Sequence, residues 1–318
     1  MNSTVNKLLP ASTSNPSGAG VPALRPAAVG LLSIARILTT QWPLGNKLLD
    51  SLPEQDCSRV APHLQRVHLQ RGDVLHEAGG AIDFVYFPAG AIVSHLSVLE
   101  DGRTAEIAIV GGEGVTGIPF VIGGATSLSR TLVEQSGIAY RLGAAPLKDE
   151  FARAGSVQQL LLRYTQSLLT QMAMTAVCNR HHSVEQQLCR RLLMTLDHLP
   201  SAKILITQEL TAQALGVRRE SVTAAAGKLQ RAGLIRYGRG QVTVLDRPGV
   251  RSRSCECYAV VKCVSDSLLA APTGRVNRPA AIGRPLAAHL QPTSGCSAAT
   301  VLRGGPTGTA NAANAASA

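Results

Sequence analysis

The stretch from Thr207 to Asp246, TQELTAQALGVRRESVTAAAGKLQRAGLIRYGRGQVTVLD, constrains the chain more than any other. Thr207 is a residue that caps helix starts, and Leu210, Ala214 and Leu215 fall on one side of a short helix that Gly216 ends in a tight turn. In the next helix Val222, Ala226 and Leu229 recur at i, i+4 and i+7, a spacing that buries one stripe. The opposite face carries Arg219, Glu220, Thr223 and Arg231. Gly233 suits a left-handed helix end, and Leu234 to Tyr237 with Gln241 to Leu245 read as two strands around Gly238-Arg239-Gly240. Helix, turn, helix and hairpin in this order within about forty residues describe a winged helix-turn-helix.

The chemistry on its exposed side suits double-stranded DNA. Arg218, Arg219 and Glu220 open the second helix, where a guanidinium fork matches a guanine edge or a phosphate and a carboxylate accepts from cytosine. Thr223, Lys228 and Arg231 continue that face, and Arg239 on a glycine-flanked tip suits a phosphate. These seven are the candidate DNA-binding residues. An amphipathic helix can carry arginines merely for solvation, but charge is concentrated here. From Arg180 to Arg253 there are 13 Lys and Arg against 5 Asp and Glu, a net +8 of the chain's formal +11. A polyanionic partner follows from that concentration.

No apolar run approaches the roughly 18 residues that span a bilayer, so no membrane partner and a cytoplasmic location are expected. The seven cysteines are odd in number and scattered, which argues against a disulfide framework. Residues 1–42, rich in Ser, Pro, Ala and Gly, are expected to form a disordered arm, and 270–318 a disordered low-complexity tail.

Between these ends the expected fold class is α+β: an antiparallel β-roll of jelly-roll type over 43–150, a long dimerisation helix over 151–180 and the winged helix-turn-helix over 181–269. Ile92 to Leu99 and Thr104 to Val110 flank Glu100-Asp101-Gly102-Arg103, and Asp-Gly between apolar runs predicts a hairpin with positive φ at both central residues. Further strands are predicted around Val67 to Leu69, Phe84 to Phe87 and Leu132 to Leu142. From Val157 to Cys178 the period becomes helical, with Leu161, Tyr164, Leu168, Met172 and Thr175 as the candidate dimer stripe. Ser183 and Gln186 make a capping-box pattern for a further helix through Val184, Leu188, Leu192 and Leu199, ending at Pro200.

With these elements in this order, the chain from Lys47 to Leu269 resembles the cyclic-AMP receptor and fumarate-nitrate reduction regulator superfamily, Crp/Fnr. The stretches VCNRHHSVEQQLCRRLL, LGVRRESVTAAAGKLQRAGLI and LDRPGVRSRSCECYAVVK carry the resemblance. It implies a homodimer that binds a palindromic promoter site and works with RNA polymerase. It also implies base reading by Arg219 and Glu220, whereas Ala224 stands where the best-known members place a second reading arginine. For an effector, the resemblance offers Arg130 and Thr131 as the phosphate half of a cyclic-nucleotide cradle. Ile118, after Gly117, occupies the place of the ribose-binding glutamate, so a cyclic nucleotide is not the expected ligand and the effector is left unassigned.

No cofactor, metal or catalytic constellation is expected. Cys57 is the only cysteine before Cys178, so the N-terminal cluster of the iron-sulfur members is missing. Cys255 and Cys257, with Cys263, lack the Cys-x-x-Cys spacing of zinc sites and are expected to pack. His181 and His182, near Cys189, point about 100° apart on a helix and read as hinge contacts. Two other function classes stand beside the regulator. One is a cupin-like metalloenzyme with an accessory basic domain, for which His68, His76, Glu77 and His95 are present but the His-x-His pair is not. The other is a sensor acting through protein partners, which Arg219→Ala separates from a DNA reader.

Overall fold

The computed structural model describes residues 44–238 and 240–270, so the expected N-terminal arm, the C-terminal tail, Cys296 and Arg239 lie outside the described residues. The chain opens with two short helices, α1 (Lys47–Asp50) and α2 (Glu54–Val60), and a 3-10 turn over Ala61–His63. Asn46 caps α1 by accepting from the Leu48 and Leu49 amides, and its Nδ2 donates to the Pro88 and Gly114 carbonyls. A helix of one turn survives because its two leucines are buried and its cap is tied to the roll behind it.

Seven strands follow: β1 (Leu64–Leu69), β2 (Val74–His76), β3 (Phe84–Pro88), β4 (Ile92–Val98), β5 (Thr104–Val110), β6 (Arg130–Gln135) and β7 (Gly137–Gly143), with a one-turn helix α3 (Ile118–Val121) before β6. They form two antiparallel sheets, ordered β2-β6-β4-β5 and β1-β7-β3. Leu69, Ala91, Val93, Val133 and Ala139 close one another off from water. This is the expected roll, with two local differences. The run from Leu132 to Leu142 is two strands, because the chain corners at Ser136 to pass from one sheet to the other; Ser136 Oγ accepts from the Arg71 amide there. In the β4–β5 hairpin only Gly102 has a positive φ, +81°, and Asp101 does not. The Gly102 amide bonds the Leu99 carbonyl and the Leu99 amide the Arg103 carbonyl, so the loop is a turn followed by one left-handed glycine rather than the two-residue form.

Helix α4 (Ala144–Ala152) leads to α5 (Ser156–His181), longer at both ends than its periodicity predicts. Its inner side corrects the expected dimer stripe. Leu161 and Tyr164 are buried in the core of their own roll with Leu160, Val115 and Leu142, and Leu168 packs on the same cluster. Thr175 is buried and accepts from Arg190, and Met172 is half-buried. A leucine sunk this way contributes about 1.5–3 kcal/mol to its own chain, so Leu161, and Tyr164 beside it, are spent on the protomer. The large apolar residues α5 exposes are Leu162, Leu169 and Val177. Gln171, from the same helix, pairs its amide with both the N–H and the carbonyl of Ile109, satisfying the free edge of β5.

The C-terminal part contains α6 (Val184–Leu196), β8 (Lys203–Ile204), α7 (Gln208–Leu215), α8 (Arg219–Arg231), β9 (Ile235–Gly238), β10 (Gln241–Val244), α9 (Arg247–Ser252) and α10 (Glu256–Ala270). Ser183 and Gln186 form the capping box at the start of α6. The helix stops at Leu196, leaving Leu199 beyond it. Leu188, Leu192 and Leu193 share a core with Val222, Leu229 and Val242, and Ile92 and Ile109 of the roll join it. The two parts are therefore packed together rather than strung on a linker.

Candidate nucleic-acid interface

Local chemistry fixes the two helices of the motif. Thr207 Oγ1 accepts from the Leu210 amide and starts α7. Gly216 ends it with φ +64°, a conformation that costs a side-chain-bearing residue about 1 kcal/mol or more. Thr211, Ala212, Ala214 and Leu215 form its buried side, while Leu210 is exposed, one residue away from the face its spacing suggests. Arg218 stands at the N-cap of α8, and Val222, Ala225, Ala226 and Leu229 are the buried stripe. Thr223 Oγ1 donates to the Arg219 carbonyl and lies 3.0 Å from Gln208 Oε1, joining the start of α7 to the first turn of α8.

The opposite side of α8 faces solvent. Arg218, Arg219, Glu220, Thr223, Ala224, Lys228 and Arg231 are all exposed. Arg218, Arg219 and Glu220 make no ion pair or side-chain hydrogen bond among the described residues, so their donors and acceptors are open to a partner. The other candidates are more engaged: Arg231 Nε donates to the Gly227 carbonyl, and Lys228 Nζ is 3.8 Å from Glu185 on α6. The positive set is thus densest at the N-terminal end of α8, where the free amides of the first turn add to its field.

The wing is a three-stranded sheet ordered β8-β10-β9. Its third strand, Lys203–Ile204, is two residues long and too short to show an alternation in sequence. Gln230 Oε1 accepts from the Tyr237 amide, and Tyr237 Oη is 3.2 Å from Thr211 Oγ1, so the wing is held to both helices. Arg236 and Lys203 are exposed on this sheet and add basic side chains that the sequence reading passed over. The strand alternation that buries Ile235 turns Arg236 outward and could have identified it.

The other candidates fare differently. Arg130 Nε donates to Glu77 Oε2 at 2.8 Å, and Thr131 is buried with its hydroxyl 3.4 Å from His95 Nδ1. As neighbours on β6 their side chains leave on opposite faces, Arg130 toward Glu77 and Thr131 toward His95. Burial, with His76 nearby, lowers the pKa of His95 to about 4, keeping the ring neutral. Of the residues a cupin-like centre would use, His76 Nε2 is bonded to the Phe84 carbonyl and Glu77 is taken by Arg130. Cys255 and Cys257 pack, as expected, in a buried cluster with Cys178 at the end of α5, and His182 joins them. Cys178, His182, Cys255 and Cys257 have ligand atoms within 4.8 Å of one another, while His181 and Cys189 stand outside this group.

Among the described residues no helix is long and apolar enough to cross a membrane. The family model for a Crp-like helix-turn-helix domain matches residues 186–253. Among solved structures the chain is similar to FixK2 from Bradyrhizobium japonicum, at 14% identity and a TM-score of 0.52 over 60% of this chain and 98% of that one. A putative transcriptional regulator of the Crp/Fnr family from Eubacterium rectale gives 16% identity and a TM-score of 0.52 over 65% and 96%. A Crp/Fnr-family transcriptional regulator from Thermus thermophilus gives 22% identity and a TM-score of 0.50 over 60% and 98%. A sequence search of curated proteins found no match.

Proposed function

Because the chain carries a Crp-like helix-turn-helix domain and has the fold of the Crp/Fnr regulators, we propose that it is a DNA-binding transcriptional regulator that reads an inverted repeat as a homodimer. The observation that carries this reading is the first turn of α8, where Arg218, Arg219 and Glu220 are exposed and unpaired among the described residues. Arg219 offers a fork of donors to a guanine edge, Glu220 an acceptor to cytosine, and Arg218 a contact to phosphate. Thr223, Arg231, Lys228 and the basic residues of the wing add affinity without reading sequence.

Two recognition helices must stand about 34 Å apart to enter successive major grooves. The face of α5 bearing Leu162, Leu169 and Val177 is the surface we assign to the second copy, replacing the inward stripe the sequence suggests. Contact with RNA polymerase belongs to the same reading. An effector would act by binding one spacing of the two winged modules better than the other. Arg130 is paired with Glu77 and Thr131 lies against His95, and the effector is left unassigned. An enzymatic role is not part of the proposal.

The test is selection of bound duplexes from a random pool at two salt concentrations, with the full chain and with Arg219→Ala. The expected product is an inverted repeat with half-site centres about one helical turn apart. Loss of the arginine should cost about 1–3 kcal/mol at one base position, roughly 5- to 150-fold in affinity. Enrichment without a motif that disappears steeply with salt would reduce the interaction to phosphate binding and overturn the reading.

A further inference from the structure

We propose that Cys178, His182, Cys255 and Cys257 form a structural zinc site that pins the start of α10 to the end of α5. Cys178 lies in the last turn of α5, and His182 caps that helix with its amide bonded to the Cys178 carbonyl, which keeps the two side chains close. Cys255 immediately precedes α10 and Cys257 lies in its first turn. The bend into that helix lets two thiols separated by one residue converge. The sulfurs of Cys178 and Cys255 are 3.5 Å apart, and Cys257 Sγ is 3.6 Å from His182 Nδ1.

Those two spacings are close to the edges of a zinc tetrahedron. With Zn–S near 2.3 Å and Zn–N near 2.0–2.1 Å, a regular Cys3His site has S···S edges of about 3.8 Å and S···N edges of about 3.6 Å. All four ligand atoms fall within 4.8 Å of one another, so a small contraction closes the set around one ion. All three cysteines are buried and His182 is half-buried, which leaves no open coordination position for a substrate. Full coordination by Cys3His is the pattern of structural rather than catalytic zinc.

The surroundings fit the same ion. His182 presents Nδ1 to the sulfurs, and its Nε2 is 3.3 Å from Glu256 Oε1, the carboxylate-histidine relay that orients metal-bound imidazoles. Gln187 Nε2 donates to the His182 carbonyl at 2.9 Å and holds the end of α5 in place. Three thiolates around a divalent ion leave one negative charge, and Arg190 is the buried cation beside it. Arg190 Nη2 donates to Thr175 at 2.6 Å, and its Nε has no hydrogen-bond partner among the described residues. Binding breaks three S–H bonds, releases the protons to solvent and changes no oxidation state.

The experiment is metal analysis of the full chain, purified under reducing conditions without a metal-affinity tag. The expected result is about one zinc per chain, with X-ray absorption showing about three sulfurs near 2.3 Å and one nitrogen near 2.0 Å. Cys257→Ser and Cys178→Ser should lose the ion and Cys263→Ser should keep it. Should the serine variants fail to fold, cobalt titration of the unmodified chain reads the same site, through thiolate-to-metal charge transfer and tetrahedral ligand-field bands saturating at one equivalent. Zinc that stays in Cys257→Ser, stoichiometric copper in its place, or no uptake of zinc or cobalt by the reduced chain would overturn the site. So would a Cys178–Cys255 disulfide found by peptide mapping of protein kept reduced throughout.

Discussion

Where α6 meets the β-roll the junction is ionic, and where α10 meets the end of α5 it is made of sulfur. On the first side Arg191 reaches from α6 to Glu106 on β5 at 2.9 Å and to Glu134 on β6, and His198 Nδ1 is 2.8 Å from Glu113. On the second, three thiols and an imidazole meet, and the one carboxylate there, Glu256, touches the imidazole rather than the sulfurs. The difference lies in what can loosen each side. Charges buried against charges answer to protons, whereas thiols gathered at metal-ligand distance answer to a soft cation. The helix-turn-helix part is therefore held on two sides by contacts that fail under different conditions.

The largest effect expected from breaking the ionic side comes from Arg191→Ala. Burial works against the charge on Arg191, but Glu106 and Glu134 more than offset it and hold the guanidinium firmly protonated. Burial also pushes the Glu134 carboxyl up; Arg191 opposes this and Glu106 adds to it, as expected when one cation serves two carboxylates. Removing the cation leaves two half-buried acids facing each other uncompensated and should cost about 3 kcal/mol in chemical denaturation. Combining Arg191→Met with Glu106→Gln and Glu134→Gln should recover most of that loss, because no buried charge is then left alone. If Arg191→Ala alone were neutral, the ionic side would not hold the junction.

A smaller and pH-dependent effect is expected at His198. Burial alone would lower its pKa, but the facing Glu113 raises it, with Asp197 adding to the rise and Lys47 opposing it. Burial likewise works against the Glu113 carboxylate, and the His198 cation brings its pKa down. The raised histidine gives stability that is complete below its ordinary value of 6.5 and is lost as pH climbs through the folded value. The depressed carboxyl gives stability present above its ordinary value of 4.5 and lost as pH falls through the folded one. The pair should therefore stabilise most between those two ordinary values, by about 1.5–3 kcal/mol as a charged hydrogen bond. His198→Asn should flatten this part of the stability-pH curve while leaving zinc content unchanged. An unaltered curve would remove His198 from the junction. Lys262 and Asp266 of α10, which line the cleft beside the pair, bond each other at 2.8 Å and carry no net charge into it.

The same contrast explains what could be read from sequence. The DNA-reading module is written in local signals: the cap at Thr207, the turn at Gly216 and the stripe through Val222, Ala226 and Leu229 are each complete within one or two turns. The capping box at Ser183 is equally local. The junction is not, since Arg191 is 85 residues from Glu106 and Cys178 is 77 from Cys255. Read in pairs, Cys255 with Cys257 has the wrong spacing and His181 with His182 diverges. Cys178 and His182 are four residues apart and legible as a pair, but only the fold brings Cys255 and Cys257 to them. Helix α5 shows a related limit, because it carries two apolar stripes and periodicity cannot say which one the roll consumes. The stripe through Leu161 and Tyr164 went inward, leaving Leu162 and Leu169 outside.

Gln135→Ala tests whether uncharged contacts across the same junction matter at all. Gln135 is buried at the end of β6, and its Nε2 donates at 3.1 Å to the Leu205 carbonyl, just before the cap of α7. A neutral side-chain-to-backbone bond of this kind contributes about 0.5–1.5 kcal/mol, and losing it leaves a carbonyl that nearby water can serve. The loss should be the smallest of the three, independent of pH across the His198 window and insensitive to a chelator. A cost as large as that of Arg191→Ala would mean that the shape of the joint, rather than its charge, holds the DNA-reading module against the roll. The contrast between an ionic and a sulfur side would then describe what lies at the junction without describing what closes it.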